Sequence, residues 1–185
     1  MGKNTLIVNL LGGPGISKST TASGVFHKLK VNGIDSELIG EFAKDKTWEN
    51  NHTALADQFF VSANQHYRQF ILTGKVDVIV TDSPLLIGLF YYKEENLVIR
   101  TAFTTFIEET YRKQNNLNIL LKRRKKFNQN GRNENEEQCK VIDDNIKKFL
   151  DDKGVSYYEL DGDSSCISGI CDMIDTRLGL TNEIK

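Results

Sequence analysis

The sequence predicts an α/β fold in which helices cover both faces of a parallel β-sheet, giving three layers. Apolar runs that suit buried strands alternate along the chain with segments of helical periodicity. A glycine-rich turn joins the first apolar run to the first helical segment. Alternation of this kind favours parallel strands joined by right-handed crossovers. No repeat or low-complexity linker divides the 185 residues, so we expect one domain over residues 1–185.

The predicted elements follow one another in a regular order. Strands are predicted at 6–10, 36–40, 76–81, 117–121 and 155–160, and helices at 21–30, 54–73, 95–113, 137–150 and 167–178. The helix over 54–73 is amphipathic. Its apolar face carries Phe59, Ala63, His66 or Tyr67, and Phe70. Its polar face carries Gln58, Ser62, Gln65 and Gln69, and by default we expect this face to meet solvent.

Residues 11–21 read LGGPGISKSTT and predict a phosphate-binding loop between the first strand and the first helix. The match to Gly-x-x-x-x-Gly-Lys-[Ser/Thr] runs from Gly12 to Ser19, with Ser17 in place of the second glycine. Backbone amides of such a loop surround phosphate oxygens, and the following helix adds its positive end. Lys18 would reach the β- and γ-phosphates, and the Ser19 hydroxyl would bind Mg²⁺. The predicted nucleotide-binding residues are Gly12, Gly13, Pro14, Gly15, Ile16, Ser17, Lys18, Ser19 and Thr20.

A glycine-rich turn without a ligand is the alternative, but such a turn does not require Lys-Ser at the helix start. The Cβ of Ser17 is expected to crowd the place where the backbone approaches phosphate most closely.

Composition excludes several other classes of protein. A formal net charge of −1 argues against general, non-specific binding to nucleic acid, although local patches remain open. The three cysteines are too scattered for a disulfide framework, and the three histidines lack the spacing of a zinc site. The N-terminus does not resemble a secretory signal, and no apolar run is long enough to cross a bilayer. We therefore expect a cytoplasmic protein that does not bind membranes.

Two carboxylates follow predicted strands, where ligands of parallel sheets bind. Asp82 comes directly after the strand at 76–81 and is a candidate for holding Mg²⁺, with a helix N-cap as the alternative. Glu41 follows the second strand, and its carboxylate could orient and deprotonate an attacking hydroxyl. A glutamate in that position is otherwise usually just solvated.

Residues near these carboxylates could bind an acceptor molecule. Trp48 could stack on a planar ring, and a glutamine such as Gln58 or Gln65 could pair with the edge of a base. Lys44 lies close to Glu41 in the sequence, and Arg68 is a candidate partner for a phosphate or for Glu41.

The basic segment over about 122–137 allows three interpretations. It could be a lid that closes on ATP, a patch for a nucleic-acid backbone, or a solvated loop. We favour the lid, because a planar guanidinium meets the charge of a transferring phosphoryl group with paired hydrogen bonds. The candidate lid arginines are Arg123, Arg124 and Arg132.

Taken in order, these motifs resemble a known branch of P-loop proteins. They are the loop at 12–19, Glu41 with Trp48, Gln58 and Gln65, Thr81-Asp82-Ser83, Arg123 and Arg124, and Gly131-Arg132-Asn133-Glu134. They resemble the deoxynucleoside kinases and nucleoside monophosphate kinases, and they are also similar to nicotinamide riboside kinase-type domains. Small P-loop proteins of tailed phages, described as kinases or ATPases, are similar over nearly the whole chain.

The resemblance implies a kinase-type, five-stranded parallel sheet in the order 2-3-1-4-5, with Mg-ATP as phosphate donor. It further implies Glu41 as general base, a base-reading glutamine on the long helix, and lid arginines. Two positions depart from the pattern. Ser17 replaces the loop glycine, and Asp82-Ser83-Pro84 lacks the arginine that deoxynucleoside kinases carry after the third strand.

These observations predict an ATP-dependent phosphotransferase that acts on a nucleoside, a nucleotide or a related small molecule by Mg-assisted in-line transfer. One alternative is a kinase of a hydroxymethylated base in phage DNA. Another is a nucleotide-gated regulatory ATPase without a small-molecule acceptor. A phage-encoded protein would act in the host cytoplasm, and the sequence leaves a homodimer open.

Overall fold

The computed structural model describes residues 2–124 and 136–180, and its centre is a parallel β-sheet. The strands are β1 (Leu6–Leu11), β2 (Ser36–Ile39), β3 (Val78–Thr81), β4 (Asn115–Lys122) and β5 (Tyr158–Asp161). Every neighbouring pair is parallel, and the order across the sheet is β2-β3-β1-β4-β5. The predicted five-stranded sheet and its order are therefore confirmed.

Eight helices connect and cover these strands in the described residues. They are α1 (Lys18–Val31), α2 (Phe42–Trp48), α3 (His52–Ala56), α4 (Gln58–Phe70), α5 (Ile87–Tyr91), α6 (Leu97–Arg112), α7 (Glu136–Asp152) and α8 (Cys166–Leu178). The sequence pattern missed α2 and α5, because seven and five residues are too few to show a helical period. None of the described helices combines the length and apolarity needed to cross a bilayer.

The central strand β1 is buried on both faces, as expected for the middle of a covered parallel sheet. Leu6, Val8 and Leu10 pack in a core with α1 and α8. On the other face, Leu11 belongs to a core with residues of α6 and α7. The register places Asn9 opposite Thr81 of β3 and Leu11 opposite Leu120 of β4. The chain therefore leaves β1, β3 and β4 at the same edge of the sheet.

The helix predicted over 54–73 differs from the prediction in two ways. Asp57 separates α3 from α4, and its carboxylate accepts the N–H of Phe60 at 3.0 Å as the N-cap of α4. The faces of α4 are also reversed, since its buried residues are Ser62, Gln65 and Gln69. Tyr67 and Phe70, from the apolar face, are 62% and 66% exposed. The expectation that the polar face meets solvent was wrong, because this face contacts polar groups of neighbouring segments.

Candidate active site

The loop between β1 and α1 has the left-handed backbone angles that its glycines favour. Gly12 has φ of 137°, and a Cβ there would lie 2.9 Å from Cγ2 of Ile16. Ser17 occupies the N-cap of α1 with φ of 79°. A residue with a Cβ in this conformation costs roughly 1–2 kcal/mol. Ser17 therefore departs from the motif at a position where the backbone itself favours glycine.

Lys18 folds back onto the loop that precedes it. Its Nζ donates to the carbonyl oxygens of Gly12 at 2.8 Å and Gly13 at 2.9 Å. Burial lowers the pKa of this ammonium, while the charges of Glu41 and Asp82 act in the opposite direction. A part-buried ammonium within the loop can bind an incoming anion. The anion would then compete with the carbonyl oxygens of Gly12 and Gly13 for the ammonium.

The loop forms one wall of a cavity of about 710 Å³, a volume within the range of small-molecule sites. The loop and the start of α1 contribute Pro14, Gly15, Ser17, Lys18, Ser19 and Thr20. The segment around α2 contributes Glu41, Ala43, Lys44, Thr47 and Trp48. The remaining lining residues are Leu55, Gln58, Val61, Ser83, Ile87, Gly88 and Tyr91. Residues predicted to bind the phosphate donor and residues predicted to bind the phosphate acceptor thus line the same cavity.

Three loop residues predicted to bind nucleotide do not line this cavity: Gly12, Gly13 and Ile16. Ile16 is buried in the core with α1 and α8. The backbone carbonyls of Gly12 and Gly13 bind Lys18. These three residues therefore contribute to the shape of the loop and are not part of the cavity wall.

Glu41 stands immediately before α2 and lines the cavity. Its carboxylate makes no capping hydrogen bond to the amides of α2. Its negative charge raises the pKa of the Lys18 ammonium, against the lowering by burial. Glu41 and the loop residues Ser17, Lys18 and Ser19 therefore line the same cavity.

Gln65 and Arg68 lie behind Glu41 and do not line the cavity, which differs from the prediction. Gln65 accepts the N–H of Phe42 at 3.0 Å and donates to the carbonyl of Gly40 at 3.4 Å. Arg68 donates to the same carbonyl at 3.3 Å and to Asp45 at 2.6 Å. Gln65 thus holds the backbone on either side of Glu41, and Arg68 holds it on one side, at Gly40.

Asp82 follows β3 and is only 6% exposed. It is not a helix N-cap, since α5 begins five residues later with Leu86 at its N-cap. Among the described residues, no group donates a hydrogen bond to its Oδ1. Asp82 does not line the cavity, although the next residue, Ser83, does. A buried carboxylate oxygen without a described donor and a hydroxyl such as that of Ser19 are oxygen ligands of the kind that suits a hard divalent cation.

The start of the basic segment is fixed against the loop. Arg123 donates from Nε to Asp143 of α7 and from Nη2 to the carbonyl of Pro14, both at 2.8 Å. Asp143 also accepts the N–H of Gly13 at 2.8 Å. Arg124 is 59% exposed and pairs with Asp161 at 3.0 Å. Arg132, and with it most of the predicted lid, lies outside the described residues.

Sequence reasoning did not find Asp143. It is one of several acidic residues in α7, and no motif distinguishes it from its neighbour Asp144. The contact between Asp143 and the amide of Gly13 is visible only in the structure, because the two residues are 130 positions apart in the chain.

Comparison with solved structures gives the relationship of this fold to others. Deoxyadenosine kinase from M. mycoides with bound dATP superimposes with a TM-score of 0.58 at 15% identity, over 94% of this chain and 99% of that chain. The same enzyme with products dCMP and a flexible dCDP gives the same score and identity over 92% of this chain and 99% of that chain. These values show a shared fold.

Sequence comparison gives the family. A search of curated protein sequences found no match to this chain. The family model AAA_28, described as an AAA domain, matches residues 7–165, which include the loop, Glu41 and Asp82. The chain therefore belongs to the AAA_28 family of AAA domains.

Proposed function

We propose that this protein is a P-loop kinase that transfers the terminal phosphoryl group of ATP to a nucleoside-type small molecule. One observation carries the proposal: a single cavity is lined by the loop residues Ser17, Lys18 and Ser19 and by the acceptor-side residues Glu41 and Trp48. Phosphoryl transfer requires little covalent chemistry from a protein, but it requires a donor and an acceptor held in line. A cavity shared by both sets of residues meets this requirement.

On the donor side, the loop amides and Lys18 would hold the phosphates. The ammonium of Lys18 is part-buried, so its attraction for a phosphate oxygen is screened less than it would be in bulk water. Asp82 and Ser19 would hold Mg²⁺ between them and the donor. When bound, this ion would neutralise charge on the phosphate oxygens. The Oδ1 of Asp82, which receives no hydrogen bond from a described residue, supports this assignment.

On the acceptor side, the walls suit a flat molecule with a hydroxyl group. Leu55, Val61 and Ile87 are apolar, and Gln58 provides an amide among them. Trp48, 70% exposed at the same cavity, offers a ring for stacking. Lys44 lines the acceptor half and would favour an acceptor that carries a negative group. Glu41 would orient the acceptor hydroxyl and take its proton as the new P–O bond forms.

The structural neighbours support a nucleotide as ligand. The M. mycoides deoxyadenosine kinase binds dATP in one structure and dCMP and dCDP in another. This chain shares the fold of that enzyme. In this chain the glycine-rich loop, Glu41 and Asp82 follow strands that end at the same edge of the sheet. A nucleoside or nucleotide is therefore the acceptor class that we would test first.

The test is a transfer assay with ATP labelled on its γ-phosphate. The purified protein is offered nucleosides, nucleoside monophosphates, nicotinamide riboside, and DNA with hydroxymethylated bases. We expect label on one small molecule, and no transfer by Lys18→Ala. The matched control is Lys30→Ala, which removes an exposed lysine from the last turn of the same helix and should retain full activity.

Other distributions of label would contradict the proposal. Transfer to DNA alone would favour the kinase of modified bases, and its activity should then fall steeply with salt. Label released only to water, at a rate that no acceptor changes, would favour a regulatory ATPase. Transfer by Lys18→Ala at the wild-type rate would refute the role of the loop.

A further inference from the structure

The outer side of the phosphate-binding loop, away from the cavity, is held by a clasp of two side chains, Arg123 and Asp143. The carboxylate of Asp143 binds the loop amide of Gly13 through Oδ1 and the guanidinium of Arg123 through Oδ2. Arg123 in turn donates to the loop carbonyl of Pro14. Two consecutive loop residues are thus tied to one ion pair, and each of the three contacts measures 2.8 Å.

The clasp explains why the loop has glycine at position 13. A Cβ on Gly13 would lie 2.4 Å from Oδ1 of Asp143, so the carboxylate would have to shift away from the Gly13 amide. It would also lie 3.3 Å from the carbonyl oxygen of Cys139 on the same helix, α7. The close approach of α7 therefore favours glycine at position 13.

Burial makes the ion pair of the clasp different from those on the surface. The side chains of Arg123 and Asp143 are 10% and 19% exposed, whereas Arg124 and its partner Asp161 are 59% and 41% exposed. Exposed pairs contribute little, but a buried pair holds its geometry because either charge alone would be poorly solvated. In the described residues, Nη1 of Arg123 is buried and has no hydrogen-bond partner. The hydrogen bonds of this guanidinium to described residues therefore come from Nε and Nη2.

We propose that Asp143 is a positioning residue for the phosphate donor. It holds the loop in the shape that surrounds the phosphates, directly at the amide of Gly13 and, through Arg123, at the carbonyl of Pro14. Arg123 then acts as a fixed support of the loop, whereas the sequence predicted an arginine of a lid that closes on ATP. This inference rests on the proposed function, since the anion that it requires is the polyphosphate of a bound nucleotide.

The test measures binding and does not depend on turnover. Calorimetry gives the affinity of the full chain for Mg·ATP and for inorganic tripolyphosphate, comparing wild type, Asp143→Asn and Asp144→Asn. Asparagine keeps an acceptor for the Gly13 amide but removes the charge that fixes Arg123. We expect Asp143→Asn to weaken both ligands about tenfold or more, since small displacements of positioning groups have large effects. Asp144, an exposed neighbour in α7, is the matched control and should change neither affinity.

Acceptor binding separates positioning from general damage to the fold. The fluorescence of Trp48, the single tryptophan of the chain, reports an acceptor entering the cavity and should respond equally in wild type and Asp143→Asn. If Asp143→Asn does not fold, the same binding measurements are made on Arg123→Lys. Lysine keeps the charge pair with Asp143 but lacks the second N–H that binds the carbonyl of Pro14. Wild-type affinity for both phosphates in either folded variant would overturn the inference. Failure of the wild type to bind either ligand would instead refute the proposed function.

Discussion

Gln65 accepts the backbone N–H of Phe42 at 3.0 Å, and its amide nitrogen donates to the carbonyl of Gly40 at 3.4 Å. The two contacts lie on either side of Glu41, so one buried amide fixes the backbone from which the candidate base projects. Phe42 is held further by an edge contact with Phe60, whose ring centroid lies 5.5 Å away. The position of Glu41 is therefore set by α4, which lies behind it.

The two glutamines that the sequence singled out should give different phenotypes. Gln65→Ala leaves the buried N–H of Phe42 without an acceptor, which should lower the free energy of unfolding by about 1–3 kcal/mol. It should also lower kcat, because Glu41 loses its support. Gln58→Ala, on the cavity wall, should raise KM for the acceptor and leave stability nearly unchanged. Urea unfolding and steady-state kinetics on both variants check this, and equal effects on stability would contradict it.

Ser17→Gly should stabilise the protein. Glycine adopts a φ of 79° without the steric cost that a Cβ carries, although it also gives the unfolded chain more freedom. We expect a net gain of about 1 kcal/mol in the free energy of unfolding, with no loss of affinity for ATP. Ser23→Gly, in the interior of α1, is the control and should destabilise by about 0.5–1 kcal/mol. A Ser17→Gly variant less stable than wild type would show that the serine side chain makes a compensating contact.

Nucleotide affinity should decrease at alkaline pH because of Lys18. Burial lowers the pKa of this ammonium from 10.5, so in the folded protein it loses its proton at a lower pH than in the unfolded chain. The attraction for phosphate is present while Lys18 is charged and is lost as the pH rises through this lowered pKa. Calorimetry with ADP at increasing pH measures the effect. Lys18→Arg should bind without this alkaline loss, since arginine stays protonated, and an identical pH profile in both would contradict the assignment.

The arrangement of the sheet could be predicted from sequence because it depends on features that are local and strong. The apolar run of β1, the glycine-rich turn and the start of α1 follow one another directly, and the loop motif restricts both the fold and the ligand class. The order of the strands came from the family resemblance, and the structure confirms it. Element boundaries agree with the predicted ones within a few residues where the helices are long, as for α7 and α8.

What the sequence did not predict depends on contacts between distant segments. The inward face of α4 is polar because it meets the backbone at Gly40 and Phe42 and the amide of Gln114. Periodicity assigns the apolar face to the core and cannot foresee such partners. The contacts of Asp143 could not be predicted from sequence either, because one carboxylate among several in α7 is not distinguished by any motif. The strain at Ser17 can be recognised only from its backbone φ angle, which the sequence alone does not provide.

The claim on which the account depends is that the loop at 12–19 holds the phosphates of a nucleotide beside an acceptor cavity. A crystal structure of the protein with Mg·ADP tests it most directly. We predict the β-phosphate within about 3 Å of the loop amides, with Lys18 moved from the carbonyls of Gly12 and Gly13 onto a phosphate oxygen. ADP bound elsewhere, with Lys18 still on those carbonyls, would contradict the account.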